Sequence, residues 1–231
     1  MTKTPQQIAE QFKVHCSAIH EIMTEPKSGT GLSEGTKTYL KKYFVGELYG
    51  KKQSFVSKYT KKGKDCEKDS IDYCAAALGW GEFVEKNVVT KDNDFLIGTP
   101  DLIFPNSIVD IKNSWDCFTF PYFDKEPNKN YIWQLQGYME LFNKETAQVI
   151  YVLSDAPPSL VLAAAKRIAW DNDEEEASEE LIEQTWLNMR YSHLSPDLLI
   201  KQFNLNRDPA KIEAIRQRVI DCRTYLKSLG A

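Results

Sequence analysis

The chain has 231 residues, 42% of them hydrophobic and 27% charged, with a formal net charge of −4. That length supports one sizeable core and leaves little room for a second, and the net negative charge excludes a protein that coats nucleic acid by bulk attraction. No apolar run approaches the length of a membrane span, Leu160 to Ala165 being far too short, and Met-Thr-Lys-Thr-Pro-Gln-Gln at the start lacks the apolar stretch of a secretory signal.

In chain order, a helix is expected over 4–23, opening at Thr4-Pro5, and a second over 33–49. Ten lysines between Lys37 and Lys68 then alternate with Tyr39, Tyr43, Phe44, Tyr49, Phe55 and Tyr59. Such a mixture suits phosphates and stacked bases, or a solvated helix face with a buried aromatic one. A third helix is expected over 63–79. At helical period Glu67 shares a face with Ile71, Cys74 and Leu78, opposite Asp65, Lys68, Asp69 and Asp72. A carboxylate on an apolar face needs a partner, whether a metal, a salt bridge or the helix dipole.

Strands are expected over 83–90, 94–104 and 108–114. The last two read as a hairpin with Pro105-Asn106-Ser107 at its turn. Asp110 and Lys112 leave the same face of the second arm while Ile111 faces the other way. Asp101 shares that face only if the turn has two or four residues, since a turn of three would reverse it unless a bulge intervenes. A helix over 129–143 places Gln134 and Tyr138 at i and i+4, with Tyr131 and Phe142 on the same face. Ile132, Leu135 and Met139 make an apolar stripe, and Gln136 and Glu140 are expected to face water.

Ala147 to Leu153 reads as a strong strand, and Ala163 to Trp170 is ambiguous. The acidic segment from Asp171 through Glu183 is expected as a solvated helix start that would repel DNA. Helices follow over 174–191, 195–204 and 208–228, with Ser195-Pro196 and Asp208-Pro209 as starts. The whole is one domain, 1–231, of α/β (α+β) class. A central mixed β-sheet is flanked by helices, with a core at about 10–170 and a peripheral helical extension at about 171–231. Five cysteines without CxxC spacing point to a reduced, cytoplasmic setting, and His15, His20 and His193 form no zinc pattern.

Pro100-Asp101, then Asp110-Ile111-Lys112, resembles the signature of the PD-(D/E)xK nucleases. With Glu67 ahead of it and Gln134-x-x-x-Tyr138 behind, the order is similar to the branch of lambda-type phage exonucleases, YqaJ-like recombinases and RecB-type nuclease domains. Cys16-Ser17 and its neighbours, and Lys62-Gly63, also resemble YqaJ-like blocks. The resemblance runs from about Ser17 to Tyr138 and implies a restriction-endonuclease-like core and Mg²⁺, with Mn²⁺ able to substitute. It implies Glu67, Asp101, Asp110 and the Ile111 carbonyl as metal ligands, Lys112 beside the attacking water, and Gln134 and Tyr138 as supports. Ser17, Lys58, Lys61, Lys62, Lys64, Asn113 and Ser114 are implied as DNA contacts.

Some CRISPR-associated relatives hold an iron–sulfur cluster on four cysteines, but the C-terminal third here offers only Cys222, so none is expected. The activity implied is a 5′→3′ exonuclease on double-stranded DNA, of phage or prophage recombination type. It would work with a single-strand annealing protein and as a ring-shaped trimeric homo-oligomer, without membrane contact. The alternatives are a structure-selective endonuclease (junction resolvase or repair nuclease), a catalytically silent DNA-binding protein on the same fold, or a Mg²⁺-dependent small-molecule enzyme.

Overall fold

The computed structural model describes residues 3–52, 58–81 and 84–230, with 58–60 described by backbone only. Phe55 and the Tyr59 side chain lie outside the described residues.

The first segment is not one helix. Helix α1 (Pro5–Glu10) is closed at its start by a reciprocal cap between Thr4 and Gln7. The chain then extends into β1 (Val14–His15), a 3-10 turn at Cys16–Ala18 and the single turn α2 (Ile19–Ile22). Two tertiary contacts break the helix. Val14 and His15 pair in parallel with Leu96 and Ile97, and the Phe12 carbonyl accepts from Arg223 Nε (3.0 Å) and Nη2 (2.9 Å). Sheet pairing and a guanidinium together outweigh a local helix preference worth tenths of a kcal/mol per residue.

Helix α3 (Glu34–Tyr49) starts at Ser33, whose hydroxyl accepts from Thr36 N, and stops at Gly50, held at a left-handed φ of 59°. Helix α4 (Lys58–Leu78) follows. No strand forms among the described residues of 83–90. Instead Asn87 N donates to Asp101 O (2.7 Å), and Asn87 Nδ2 donates to Pro100 O (2.9 Å). The expected strand 94–104 divides into β3 (Leu96–Gly98) and β4 (Leu102–Ile103), parted at Thr99-Pro100-Asp101. Pro100 has no N–H to give a ladder, and the chain changes sheet there. Strand β3 joins β1 and β2 (Lys91–Asp92) in a small sheet ordered β1-β3-β2.

The main sheet is ordered β4-β5-β6-β7, from β5 (Ser107–Asn113), β6 (Thr146–Val152) and β7 (Ile200–Asn206). Strands β5 and β6 run parallel, and the outer pairs are antiparallel, so the sheet is mixed. Helix α5 (Lys129–Phe142) crosses between β5 and β6. Strand β7 overturns the expected helix over 195–204. Only Pro196–Leu199 (α8) is helical, and the rest pairs along all seven residues of β6. An open sheet edge beside an Ile-x-x-Phe-x-Leu segment favours a strand.

The ambiguous segment is helix α6 (Pro158–Asp171). The acidic run leads to Ser178, which caps α7 (Glu179–Asn188), with Glu179 and Glu180 in the first turn.

Two apolar layers enclose the sheet. Ile71 and Cys74 of α4 pack on Leu102, Val109, Ile111, Ile150 and Val152. On the other face Ile108, Ala147 and Val149 meet α5 and α9 (Pro209–Leu229). Helix α9 is no peripheral addition: Ile215, Val219, Cys222 and Leu226 are fully buried in the main core. The Ile, Val and Leu side chains among them contribute about 1.5–3 kcal/mol each. This cover also corrects the wet side of α5. Gln136 is buried, donating to Asn206 O (2.9 Å) and accepting from Asp208 N (2.8 Å), and Glu140 is held by Arg207 and Arg216.

Candidate active site

Strand alternation places Asp110 and Lys112 on the α5 face and Val109 and Ile111 on the α4 face. Leu102 pairs with Val109 and Ile103 with Ile108, and Phe104 N donates to Ser107 O (2.8 Å). The turn is therefore Pro105-Asn106 alone, with Ser107 already in β5. Continued by one step, this register sets Asp101 opposite Asp110, as a shared face requires.

Asp101 precedes the first residue of β4, and its Oδ2 accepts from Ile111 N (2.7 Å). Its carboxylate thus replaces the backbone carbonyl that β4 no longer supplies. The N–H and C=O of a strand residue leave on the same edge, so the Ile111 carbonyl also points toward Asp101 rather than into the β6 ladder.

Asp110 is 2% exposed. Its Oδ1 accepts from Gln134 Nε2 (3.2 Å), which also donates to Tyr138 Oη (3.1 Å). Its Oδ2 lies 2.6 Å from Lys112 Nζ. That approach is badly directed, and among the described residues Oδ2 receives no well-formed hydrogen bond. Lys112 Nζ also lies 4.7 Å from the centroid of the Tyr131 ring.

The electrostatics follow from burying two carboxylates beside one ammonium. Burial, then the Asp110 charge, pushes the Asp101 carboxyl up to about 8 against the pull of the Ile111 N–H and Lys112. Burial alone would lower Lys112, but Asp110 and Asp101 outweigh it and its affinity for a proton rises. Burial and Asp110 likewise push the Tyr138 phenol upward.

The chemistry fits a hard cation. Asp110 Oδ2 is a buried acceptor without a directed donor, Asp101 adds a second carboxylate, and the Ile111 carbonyl leaves on their edge. Mg²⁺ keeps several waters, so two carboxylates and a carbonyl suffice. Glu67 is half-buried on the α4 face that carries Ile71 and Cys74, opposite exposed Asp65, Lys68, Asp69 and Asp72, so its alignment with the apolar face is as expected. Its carboxylate pairs with Lys86 Nζ at 2.5 Å. Its charge still adds to the upward push on Asp101. Among the described residues no three His, Cys, Asp or Glu side chains are placed to hold a metal together.

Several residues expected to touch DNA serve the fold instead. Lys62 is 1% exposed and donates to the carbonyls of Ser114 (2.9 Å), Trp115 (2.9 Å) and Ser154 (2.8 Å). It ties together the chain where it leaves β5 and β6. Burial draws its proton affinity down, and the three carbonyls keep the ammonium satisfied. Replacing Lys62 with Met should take the shared donor away from all three carbonyls. A loss of at least about 3 kcal/mol is expected, a fall in Tm of about 6–12 °C, measurable by thermal unfolding.

Ser114 is buried, and Asn113 Oδ1 accepts from Ser70 Oγ (2.6 Å) and Ser154 Oγ (3.1 Å). Lys61 pairs with Asp65. Ser17 and Lys64 are exposed, and Lys58 is described by backbone alone. Tyr39 and Tyr43 pack against the core and Phe44 lies within it, whereas Tyr49 is 69% exposed.

Two glycines permit close approaches behind the site. A Cβ on Gly137 would lie 2.5 Å from Ile19 Cδ1 and 2.9 Å from Cys16 Sγ; one on Gly98 would lie 2.7 Å from both Cys16 Sγ and Tyr138 Cε1. Their bareness lets the Cys16 turn, β3 and α5 meet behind Tyr138. A glycine inside a helix pattern was the available signal. Gly137→Ala should cost about 1–3 kcal/mol by overpacking, read as a lowered midpoint in urea. Lys86 and Tyr131, the partners of Glu67 and Lys112, were also not assigned those roles.

No protein-family model and no curated protein matches the chain. Solved structures do. A phage-related exonuclease from Haemophilus somnus 129PT is 26% identical over 95% of both chains, with a TM-score of 0.73. An alkaline exonuclease from Laribacter hongkongensis is 16% identical over 97% of this chain and 92% of its own, with a TM-score of 0.64. Its complex with dAMP aligns over 96% and 91%, with a TM-score of 0.63. With a mixed sheet carrying Asp101, Asp110 and Lys112 between helix layers, this chain has the fold of the lambda-exonuclease and YqaJ-like nucleases.

Proposed function

We propose that the chain is a Mg²⁺-dependent DNA exonuclease that degrades double-stranded ends 5′→3′ and accepts Mn²⁺ in place of Mg²⁺. One observation carries the reading: a two-residue turn sets Asp101 opposite Asp110, with the Ile111 N–H bonded to Asp101 and Lys112 paired to Asp110. The 26%-identical phage-related exonuclease supports the activity. The dAMP bound by the Laribacter enzyme supports release of mononucleotides.

Asp101, Asp110 and the Ile111 carbonyl would hold Mg²⁺. When bound, the ion polarises the phosphoryl group and relieves charge on the leaving oxygen. Gln134 fixes the Asp110 carboxylate through Oδ1 and leaves Oδ2 without a directed donor, and Tyr138 holds Gln134. Lys112 is braced between Asp110 and the Tyr131 ring, where its ammonium orients the attacking water and offsets charge on the phosphate. The role in phage or prophage recombination, beside a single-strand annealing protein and as a trimeric ring, extends the same reading.

The test is linear duplex DNA, labelled separately at each 5′ and 3′ end, incubated with Mg²⁺, Mn²⁺ or EDTA. Metal-dependent loss of label from the 5′ ends, with mononucleotide products and intact closed circles, is expected. Nicked circles or cleaved junctions would establish an endonuclease instead, and untouched DNA would end the nuclease reading.

A further inference from the structure

Two of the three most exposed large apolar side chains among the described residues, Phe118 at 93% and Phe123 at 90%, share one loop with Tyr122 at 48%. The loop is well tied. Asp116 N donates to Thr119 Oγ1 and Thr119 N to Asp116 Oδ1 (3.0 and 2.8 Å), Tyr122 N donates to Phe120 O (2.8 Å), and Asp124 N donates to Pro121 O (3.2 Å). Phe120 is the buried anchor, and Cys117 N donates to Tyr191 Oη (3.3 Å). Bonded turns that point two phenyl rings at water leave apolar surface without a partner.

The loop belongs to the rim of the site. It leaves β5 just beyond Lys112 and returns at Asn128, whose N–H donates to Tyr151 Oη (3.3 Å), and Tyr131 of the next turn lies under Lys112. Across the sheet Lys112 pairs with Tyr151 and Tyr151 with Lys201, so the three share a row on the α5 face. Lys201 Nζ donates to Tyr122 O (3.2 Å). Strands lie about 4.8 Å apart, so the Lys201 backbone stands about 10 Å from that of Lys112, and the loop lies within a few nucleotides of the scissile phosphate.

The charges near the loop cancel, with Lys125, Lys129 and Lys201 against Asp116, Asp124 and Glu126. A balanced, aromatic surface is poor at following phosphates and good at stacking on the faces of bases.

We propose that Phe118, Tyr122 and Phe123 form a stacking ridge for unpaired bases of the strand being degraded, a few nucleotides from the cut, and so hold open the frayed end that feeds Lys112. The proposal rests on the nuclease reading, and its test keeps the two separable.

Full-length protein and a Phe118→Ser/Phe123→Ser variant are titrated in EDTA with a duplex bearing a short unpaired 5′ end, by fluorescence anisotropy. The DNA carries either normal bases or abasic sites at the second to fourth positions of that strand. Thermal unfolding checks that the variant is folded. Abasic sites should weaken binding by the wild type about tenfold, and should weaken binding by the variant hardly at all, because the stacking partner is already gone.

Equal losses from abasic sites in both proteins overturn the ridge. So does wild-type protein that degrades this DNA with Mg²⁺ yet shows no base-dependent binding. If sedimentation shows that the variant changes oligomeric state while the abasic penalty is unchanged, the ridge is a contact between copies and the proposal fails. If wild-type protein neither binds nor degrades the DNA, the nuclease reading itself has failed.

Discussion

Asp110→Asn should lower Mg²⁺-dependent degradation of linear duplex DNA by about 10²–10³-fold while leaving the protein folded. The asparagine carbonyl can still accept from Gln134, so the Gln134–Tyr138 link and the packing under α5 survive. What is lost is the charge on Oδ2, the buried oxygen without a directed donor. Lys112→Met should match that loss in rate for a different reason, removal of the ammonium from the reacting phosphate. It should also destabilise the fold, because Asp110 would stay buried and unpaired, at a cost of about 3–5 kcal/mol. Lys112→Arg keeps the charge but not the compact ammonium between Asp110 and Tyr131, so it should restore stability more fully than rate. End-labelled digestion and thermal unfolding on the same samples separate these effects. Asp110→Asn protein with the wild-type rate would remove Asp110 from the chemistry.

Asp101→Asn should abolish activity and yet raise the stability of metal-free protein at alkaline pH. The sign follows from proton binding. The Asp101 carboxyl titrates near 3.8 when unperturbed and is pushed up to about 8 in the folded chain. Between those values the folded protein binds the extra proton, so stability falls as pH rises through the window. Below about pH 4 both states are protonated and nothing is lost; above about pH 8 the folded state carries two crowded buried charges. Asparagine can accept from Ile111 N without that charge. In EDTA the variant should therefore match wild type near pH 4 and exceed it at pH 8–9. A gap of several degrees is expected, each kcal/mol moving Tm by about 2–4 °C.

Mg²⁺ should invert the ranking, because a ligand that binds only the folded state stabilises it and the variant has lost a ligand. Equal pH dependence of the two proteins in EDTA would show that Asp101 is not burdened as described. Wild type unaffected by Mg²⁺ would show that the carboxylate pair does not take up the ion.

The site was legible wherever its geometry is a matter of short-range periodicity. Asp110 and Lys112 share a face because a strand alternates, and Gln134 and Tyr138 stack because a helix repeats every 3.6 residues. The position of Asp101 was legible as a condition on turn length, which Pro105-Asn106 satisfies.

The unread parts depend on distant partners. Lys62 stands among surface lysines in the sequence, but its acceptors lie 52, 53 and 92 residues away. Gln136 and Glu140 look wet at helical period and become buried because the Asn206–Asp208 segment and α9 come over them. Glu67 does need a partner, and nothing local distinguishes Lys86 from a metal.

The extent of each regular element divides in the same way. Helices α3, α5 and α9 and strands β5 and β6 carry caps, breakers and apolar periods in their own residues, so the sequence by itself determined them, together with the fold class and the motif order. Strand β1 exists because β3 offers it a ladder, and β7 because β6 has an open edge; the same residues could have continued a helix. Local preferences amount to tenths of a kcal/mol per residue, whereas a paired strand with its buried face is worth several. Where those terms conflict, as over 4–23 and 195–204, only the tertiary structure decided.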